Sequence, residues 1–190
     1  GLVPHIEHVA DRFADQGYVA LAPDLFHGRT ARSSDEAGKL MMSLEIEGAA
    51  RDLSAAIDYL AALPDTTGTS VGTIGFCMGG ALSLYAACGN PEVAACVVFY
   101  GGHPNIKPDL ASLRAPVLGV FAGHDDFVTP QMVAALDRGL TAAGKLHEFY
   151  TYPDAHHAFF NDDRPEVYDP AAAKDAWEKT LAFFGRELQG

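Results

Sequence analysis

The chain has 190 residues, of which 48% are hydrophobic and 20% charged, a composition typical of a globular protein that can bury a core of its own. Its formal net charge is −12 at neutral pH and its Lys and Arg residues form no cluster, so nucleic acid and anionic membranes are not expected partners. No apolar run approaches the ~20 residues that a membrane-spanning helix needs.

In the first third of the chain, the pattern predicts helical regions on either side of one strand. Apolar residues at helical spacing follow Pro4, which suits a first helical turn, and Gly17 suits the end of that helix. The short apolar run 18–23 predicts a buried strand. After a polar loop, a long helical region covers residues 36–63, and Gly48 is a point at which it could divide.

The rest of the chain alternates between short apolar runs and amphipathic stretches. Strands are predicted at 71–76, 95–101, 115–123 and 146–152, and helices at 78–88, 130–143 and 170–188. Asp169 is the expected N-cap of the last helix, with Pro170 at its first position. Apolar strands that do not alternate, separated by helices, predict an α/β fold. We expect one domain over residues 1–190, with a mostly parallel sheet and helices on both faces.

Ligands of such sheets bind beyond the carboxyl ends of the strands, and one strand end carries Gly75-Phe76-Cys77-Met78-Gly79. Glycines two residues before and two after Cys77 would provide the clearance for a nucleophile elbow, the sharp strand-to-helix turn that lifts a nucleophile above the sheet. At a helix N-terminus the dipole favours a thiolate, and the Met78 N–H would point towards an oxyanion. The alternative is a buried cysteine in a glycine-rich turn that serves packing alone.

Acids and histidines follow two later strands. Asp125 is the first acid after one strand and is followed by Asp126; the alternative role for such a residue is an Asx turn or a helix cap. His156 and His157 come after the next strand and could be surface residues, a metal pair or a catalytic base, although no further ligands at a recognisable spacing support a metal. The order nucleophile, acid, histidine after successive strands is that of α/β-hydrolases, so we interpret these residues as a catalytic triad.

Over nearly its whole length, the chain resembles the dienelactone hydrolases, which are α/β-hydrolases with a cysteine nucleophile. The resemblance rests on the segments ADQGYVALAPDLF, ARDLSAAIDYL, VGTIGFCMGGALS, FAGHDDFVTP and DAHHAFF. It implies that Cys77 is the nucleophile, Asp125 the acid and His157, which precedes Ala158 and Phe159, the base.

The resemblance also implies where a substrate would bind. Members of the family hold a substrate carboxylate with two arginines, and Arg29 or Arg32 matches one of them. Asn161 stands at the position of the other, so dianionic lactones are expected to be poor substrates. Phe76 and Phe159 are further candidate substrate contacts.

The family has one more strand, ending in a glutamate and an apolar residue just before the position that matches Gly1. We therefore expect the 190 residues to be part of a longer protein that supplies this strand and a second oxyanion N–H.

The nucleophile itself indicates the substrate class. A thiolate leaves a tetrahedral intermediate more readily than an alkoxide does, so a cysteine suits activated esters and enol lactones. We predict a hydrolase of such small molecules that works through a thioester acyl-enzyme and needs no cofactor and no metal. Three cysteines are too few for a disulfide framework, which is typical of a cytoplasmic protein, and we expect a monomer or weak homodimer.

Two alternatives remain at this point. One is a thioesterase or general carboxylesterase that uses the same triad. The other is a binding protein that keeps the hydrolase fold without catalysis.

Overall fold

The computed structural model describes residues 1–64, 66 and 70–188, and the chain falls into two compact units, residues 1–69 and 70–190. The first unit contains the helices α1 (Pro4–Asp15), α2 (Ser34–Met42) and α3 (Ile46–Ala61). As predicted, Pro4 lies in the first turn of α1, and Gly17 follows the helix end at a φ of 88°. Val9 and Phe13 form the buried stripe of this helix.

Residues 18–23 do not form the predicted strand. The N–H of Tyr18 donates to the carbonyl of Phe13 at 3.1 Å, and the Tyr18 ring packs edge-on against Phe13. Val19 and Leu21 are 49% and 37% exposed. Within the described ranges, no strand pairs with this segment. The apolar run therefore indicated an extended segment only. A strand also needs a hydrogen-bonded neighbour, which cannot be predicted from the local sequence.

The predicted helical region 36–63 is two helices, and the break lies at residues 43–45, not at Gly48. The carboxylate of Glu45 accepts the N–H of Gly48 at 2.9 Å and caps the start of α3. Gly48 therefore lies in the first turn of a helix, where its backbone N–H would otherwise have no partner within the helix.

The second unit is built around a parallel sheet, and its elements follow the predicted order. They are β1 (Val71–Phe76), α4 (Met78–Gly89), β2 (Val93–Phe99), β3 (Val117–His124), α5 (Pro130–Ala142), β4 (His147–His156) and α6 (Pro170–Glu187). Neighbouring strands pair in parallel in the order β1-β2-β3-β4. The side chain of Asp169 accepts the first free N–H groups of α6, which confirms the predicted cap.

Helices cover both faces of this sheet. On one face of β1, the hydroxyl of Ser83 in α4 donates to that of Thr73 at 3.0 Å. At the preceding residue, Gly72, a Cβ would lie 2.8 Å from the ring of Phe184 in α6. Because successive strand residues point to opposite faces, α4 and α6 lie on opposite sides. The intervening β2 and β3 are buried along nearly their whole length, as expected of strands covered on both faces.

β4 is longer than the predicted strand 146–152 and runs on to His156, whose partner on β3 is His124. The register between the two strands shifts before this last pair, at Gly123, where a Cβ would lie 2.2 Å from the carbonyl oxygen of Pro153. Glycine allows this close approach of the two backbones.

Throughout the part of the chain that the structure describes, no helix combines the length and the apolar character that crossing a membrane would require.

Candidate active site

A different residue stands directly after each strand of the sheet. Cys77 follows β1, Tyr100 follows β2, Asp125 follows β3 and His157 follows β4. Because the four strands are parallel, these residues lie along one edge of the sheet in that order. The edge therefore brings a thiol, a phenol, a carboxylate and an imidazole together.

Cys77 lies in a sharp turn between β1 and α4. Its φ of 53° and ψ of −121° are a conformation that residues with side chains seldom adopt. Its N–H donates to the carbonyl of Phe99 at 3.0 Å, and its carbonyl accepts the N–H of Gly102 at 3.3 Å. These bonds tie the turn to the end of β2. This is the geometry of the predicted elbow.

The glycines around Cys77 do not share one role. A Cβ on Gly75 would lie 1.9 Å from the carbonyl oxygen of Gly79, so Gly75 is required for the turn. At Gly79 a Cβ would meet nothing within 4 Å beyond its chain neighbours and the backbone of its own helix, contrary to the prediction that both flanking glycines provide clearance. The second close approach is at Gly80, where a Cβ would lie 2.8 Å from the Cα of Gly101.

The side chains of Asp125 and His157 are in contact. The Nδ1 atom of His157 lies 2.8 Å from Oδ2 of Asp125, whose side chain is fully buried. The other carboxylate oxygen accepts the N–H groups of Phe127 and Val128, each at 2.8 Å. Asp125 therefore forms an Asx turn, which the sequence indicated as the alternative to a catalytic role, and it also orients His157. Burial alone would raise the pKa of Asp125, but the hydrogen bonds from His157 and these amides hold it below its usual value.

His157 also forms a hydrogen bond with the side chain of Cys77. Burial alone would lower the pKa of His157, but the hydrogen bonds to Asp125 and Cys77, with the charge of both partners, raise this pKa to about 9. At neutral pH the imidazole of His157 is therefore protonated.

The neighbouring histidine and acid do not take part in these contacts. The ring of His156 lies beside that of His124 on the adjacent strand, with centroids 5.4 Å apart. Asp126 is exposed. The structure thus pairs Asp125 with His157, which are the two residues that the resemblance implied.

The other cysteines have surroundings that suppress a thiolate. Burial raises the pKa of Cys88 to about 12 and that of Cys96 to about 11. Both remain protonated at neutral pH and are poor nucleophiles.

The three candidate substrate contacts differ in how exposed they are. Arg29 belongs to the first unit, where it is exposed, and its role stays a prediction. Phe76 is half-buried and stacks on Phe160 with ring centroids 5.2 Å apart. Phe159 is completely buried against Tyr100, so it has no surface to offer a substrate.

Sequence reasoning did not identify Phe127, which lies beside His157 at this edge. Phe127 is 75% exposed, and its ring centroid lies 5.1 Å from that of His157. Its position two residues after Asp125 could have indicated it, since that segment must fold over the acid to donate its N–H groups.

In the described portion of the chain, no group of three or more His, Cys, Asp or Glu side chains is placed to hold a metal ion.

Comparison with known proteins gives consistent results. A family model described as the dienelactone hydrolase family matches residues 1–188. The "Protein usf" of Aquifex pyrophilus is 36% identical over 188 residues, which cover 97% of this chain and 81% of that protein.

Solved structures are similar as well. A dienelactone hydrolase-like promiscuous phosphotriesterase from metagenomic libraries is 26% identical with a TM-score of 0.88, covering 98% of this chain and 82% of its own. A dienelactone hydrolase from Anabaena variabilis is 25% identical with a TM-score of 0.67, covering 97% and 79%. The predicted α/β-hydrolase fold is confirmed.

The elbow geometry predicts opposite effects of two substitutions. Gly75→Ala should lower the free energy of unfolding by about 1–3 kcal/mol or more, because its Cβ has no room. Gly79→Ala should leave the free energy unchanged or raise it by up to about 1 kcal/mol, because alanine favours the first turn of α4. Urea denaturation measures both. An equal loss in the two variants would contradict this assignment of the glycines.

The contacts of His157 predict its titration. We expect an imidazole midpoint near pH 9 by NMR, and Asp125→Asn should lower it by roughly 1–3 pH units because the charged partner is lost. Since the pKa is raised on folding, the protonated imidazole stabilises the fold fully below its ordinary value of 6.5, and this contribution is lost as the pH rises through 9. Asp126→Asn is the matched control and should leave the midpoint in place. A wild-type midpoint near 6.5 would refute the pairing.

Proposed function

The chain belongs to the dienelactone hydrolase family, a family of hydrolases that act on ester or lactone bonds, and from this premise we propose that it hydrolyses activated esters or enol lactones through Cys77, His157 and Asp125. One observation carries the proposal. Hydrogen bonds join the imidazole of His157 to the side chain of Cys77 on one side and to the buried carboxylate of Asp125 on the other.

In the first half of the reaction, the Cys77 thiolate attacks the carbonyl carbon of the ester, and the carbonyl π electrons move onto oxygen. The oxyanion forms near the N-terminus of α4, where the N–H of Met78 has no partner within the helix and can donate to it. The intermediate collapses and expels the enolate or phenolate. The His157 imidazolium protonates this leaving group, and a thioester on Cys77 remains.

In the second half, the neutral His157 accepts a proton from water as the water oxygen attacks the thioester carbonyl. Collapse of this intermediate breaks the C–S bond, releases the acid and restores the thiolate beside the imidazolium. Asp125 keeps Nδ1 of His157 as a donor, so that Nε2 is the atom that exchanges protons with Cys77, water and the leaving group.

The leaving group decides which substrates react. A tetrahedral intermediate that holds both a thiolate and an alkoxide mostly expels the thiolate and reverts. An enolate or phenolate leaves more readily and allows the reaction to proceed, and a substrate thioester offers a thiolate that competes evenly with Cys77. Activated esters and enol lactones are therefore the proposed substrates, and acyl thioesters are the alternative.

We further propose that the two units work as one domain, which is supported by a family model that spans both. The described cysteines are free, and a thiolate nucleophile needs a reducing surrounding, which supports a cytoplasmic enzyme. A monomer or weak homodimer is sufficient, since the three catalytic side chains come from one chain.

The catalytic assignment predicts a difference between adjacent histidines. His157→Ala should lower kcat by at least ~100-fold, the scale of losing a general base. His156→Ala is the matched control and should change kcat only a few-fold, because its ring faces His124. Steady-state hydrolysis of a nitrophenyl ester measures both, and equal losses or the reverse order would refute the assignment.

The charge of the loop after His157 predicts substrate preference. Asn161 replaces an arginine of the family, and the exposed Asp162 and Asp163 follow it, so a second carboxylate on the substrate should be disfavoured. We expect a higher kcat/KM for a neutral enol lactone than for dienelactone. The opposite ranking would contradict this argument.

The same assay distinguishes the alternatives. Faster turnover of an acyl thioester than of the enol lactone would indicate a thioesterase. No turnover of any activated ester would indicate a binding protein.

A further inference from the structure

Cys77 and His157 follow strands that are far apart in the sheet, so their contact depends on the path of the chain after β4. They follow β1 and β4, the two outermost strands of the described sheet, which are three strand spacings or roughly 14 Å apart. Their side chains nevertheless form a hydrogen bond. The loop after β4 must therefore turn back along the sheet edge, above the ends of β3 and β2.

Tyr100 stands at the end of β2, on the path of that return. Its ring centroid lies 5.0 Å from that of His157 and 5.5 Å from that of Phe159. Its hydroxyl oxygen accepts the backbone N–H of Phe160. One side chain thus contacts three of the first four residues of the returning loop.

The backbone of Tyr100 is fixed to the opposite side, that of the nucleophile. The residue before it, Phe99, accepts the N–H of Cys77, and Gly102, two residues after it, donates to the carbonyl of Cys77. The N–H of Tyr100 itself donates to Val120 of β3 at 2.7 Å. The segment that holds the elbow in place therefore also carries the ring that supports the base.

The conformation of Tyr100 is unusual. Its φ is 36°, in the left-handed region that disfavours a residue with a side chain, although only 1% of the residue is exposed. Strained backbone of this kind persists where the surroundings fix it, and it is concentrated at functional sites. A tyrosine needed only to fill the core could occupy an unstrained position within a strand.

We propose that Tyr100 is a positioning residue that holds His157 against Cys77: its ring supports the imidazole, and its hydroxyl anchors the returning loop at Phe160. This inference rests on the proposed function of Cys77 and His157. Burial raises the pKa of Tyr100, so the hydroxyl stays protonated and neutral beside His157.

Two substitutions separate the ring from the hydroxyl. Tyr100→Phe keeps the ring and removes the acceptor of the Phe160 N–H, and should lower kcat about 3- to 10-fold, the effect of losing one hydrogen bond. Tyr100→Leu removes the support of His157 as well and should lower kcat about 10- to 100-fold through misplacement of the base. KM should change little in either variant, because Tyr100 is buried and has almost no surface to offer a substrate.

Tyr152→Phe is the matched control. The Tyr152 ring also packs on Phe159, with centroids 5.2 Å apart, but its hydroxyl donates to Asp175 at the other end. This variant should keep the wild-type kcat.

A second readout does not depend on turnover. The NMR midpoint of His157, near pH 9 in the wild-type protein, should fall towards 6.5 in Tyr100→Leu and fall less in Tyr100→Phe, because the imidazole separates from the side chain of Cys77. Wild-type kcat and midpoint in folded Tyr100→Leu would overturn the inference. If that variant does not fold, Tyr100→Phe decides, and unchanged values in it would overturn the inference. So would an equal loss of kcat in Tyr152→Phe.

Failure of the proposed function looks different. In that case the wild-type protein hydrolyses no activated ester, whereas the midpoints still show whether Tyr100 positions His157.

Discussion

The hydrogen bond between Cys77 and His157 is the interaction on which the candidate site depends, because it joins residues at the two outer strands of the described sheet. The loop after β4 must return across the sheet edge to make it, which accounts for features that otherwise look unrelated. Ala158, directly after His157, has a φ of 66°, as a sharp reversal requires. The next two residues, Phe159 and Phe160, are buried.

Both phenylalanines anchor the returning loop at the end of β2, and Phe160 also reaches the end of β1. Phe159 packs on Tyr100 after β2, and Phe160 packs on Phe76 at the end of β1 and on Phe99 at the end of β2. Burying two aromatic rings is worth several kcal/mol before entropy is counted, roughly 1.5–3 kcal/mol per ring. Apolar packing therefore holds a polar contact that an exposed loop would not maintain.

The electrostatics of the site follow from the same arrangement. His157 is mostly buried, which alone would favour its neutral form, yet its hydrogen bonds to Asp125 and Cys77 keep it protonated. Asp125 can remain charged in a fully buried position because two backbone N–H groups and the imidazole satisfy its oxygens. Asp125 thus influences both the orientation and the charge of His157.

Much of this could be predicted from the sequence, because the second unit follows local rules. Glycines around Cys77 indicated the elbow, and the strand-end rule located Asp125 and the histidines. Tyr100 was missed because the strand was predicted to continue to residue 101, and a positive φ at a tyrosine comes from tertiary contacts, which the local sequence does not encode. Residues 18–23 were predicted wrongly for a related reason: strand pairing is a property of the neighbours.

The most direct test of the account is to trap the acyl-enzyme. The protein is mixed with a nitrophenyl ester, quenched in acid within one turnover and mapped by mass spectrometry. The account predicts one acyl group on Cys77 that decays at the rate of turnover and is absent from Cys77→Ala, which should be inactive. Hydrolysis without acylation of Cys77, or with the acyl group on Cys88, Cys96 or a serine, would contradict it.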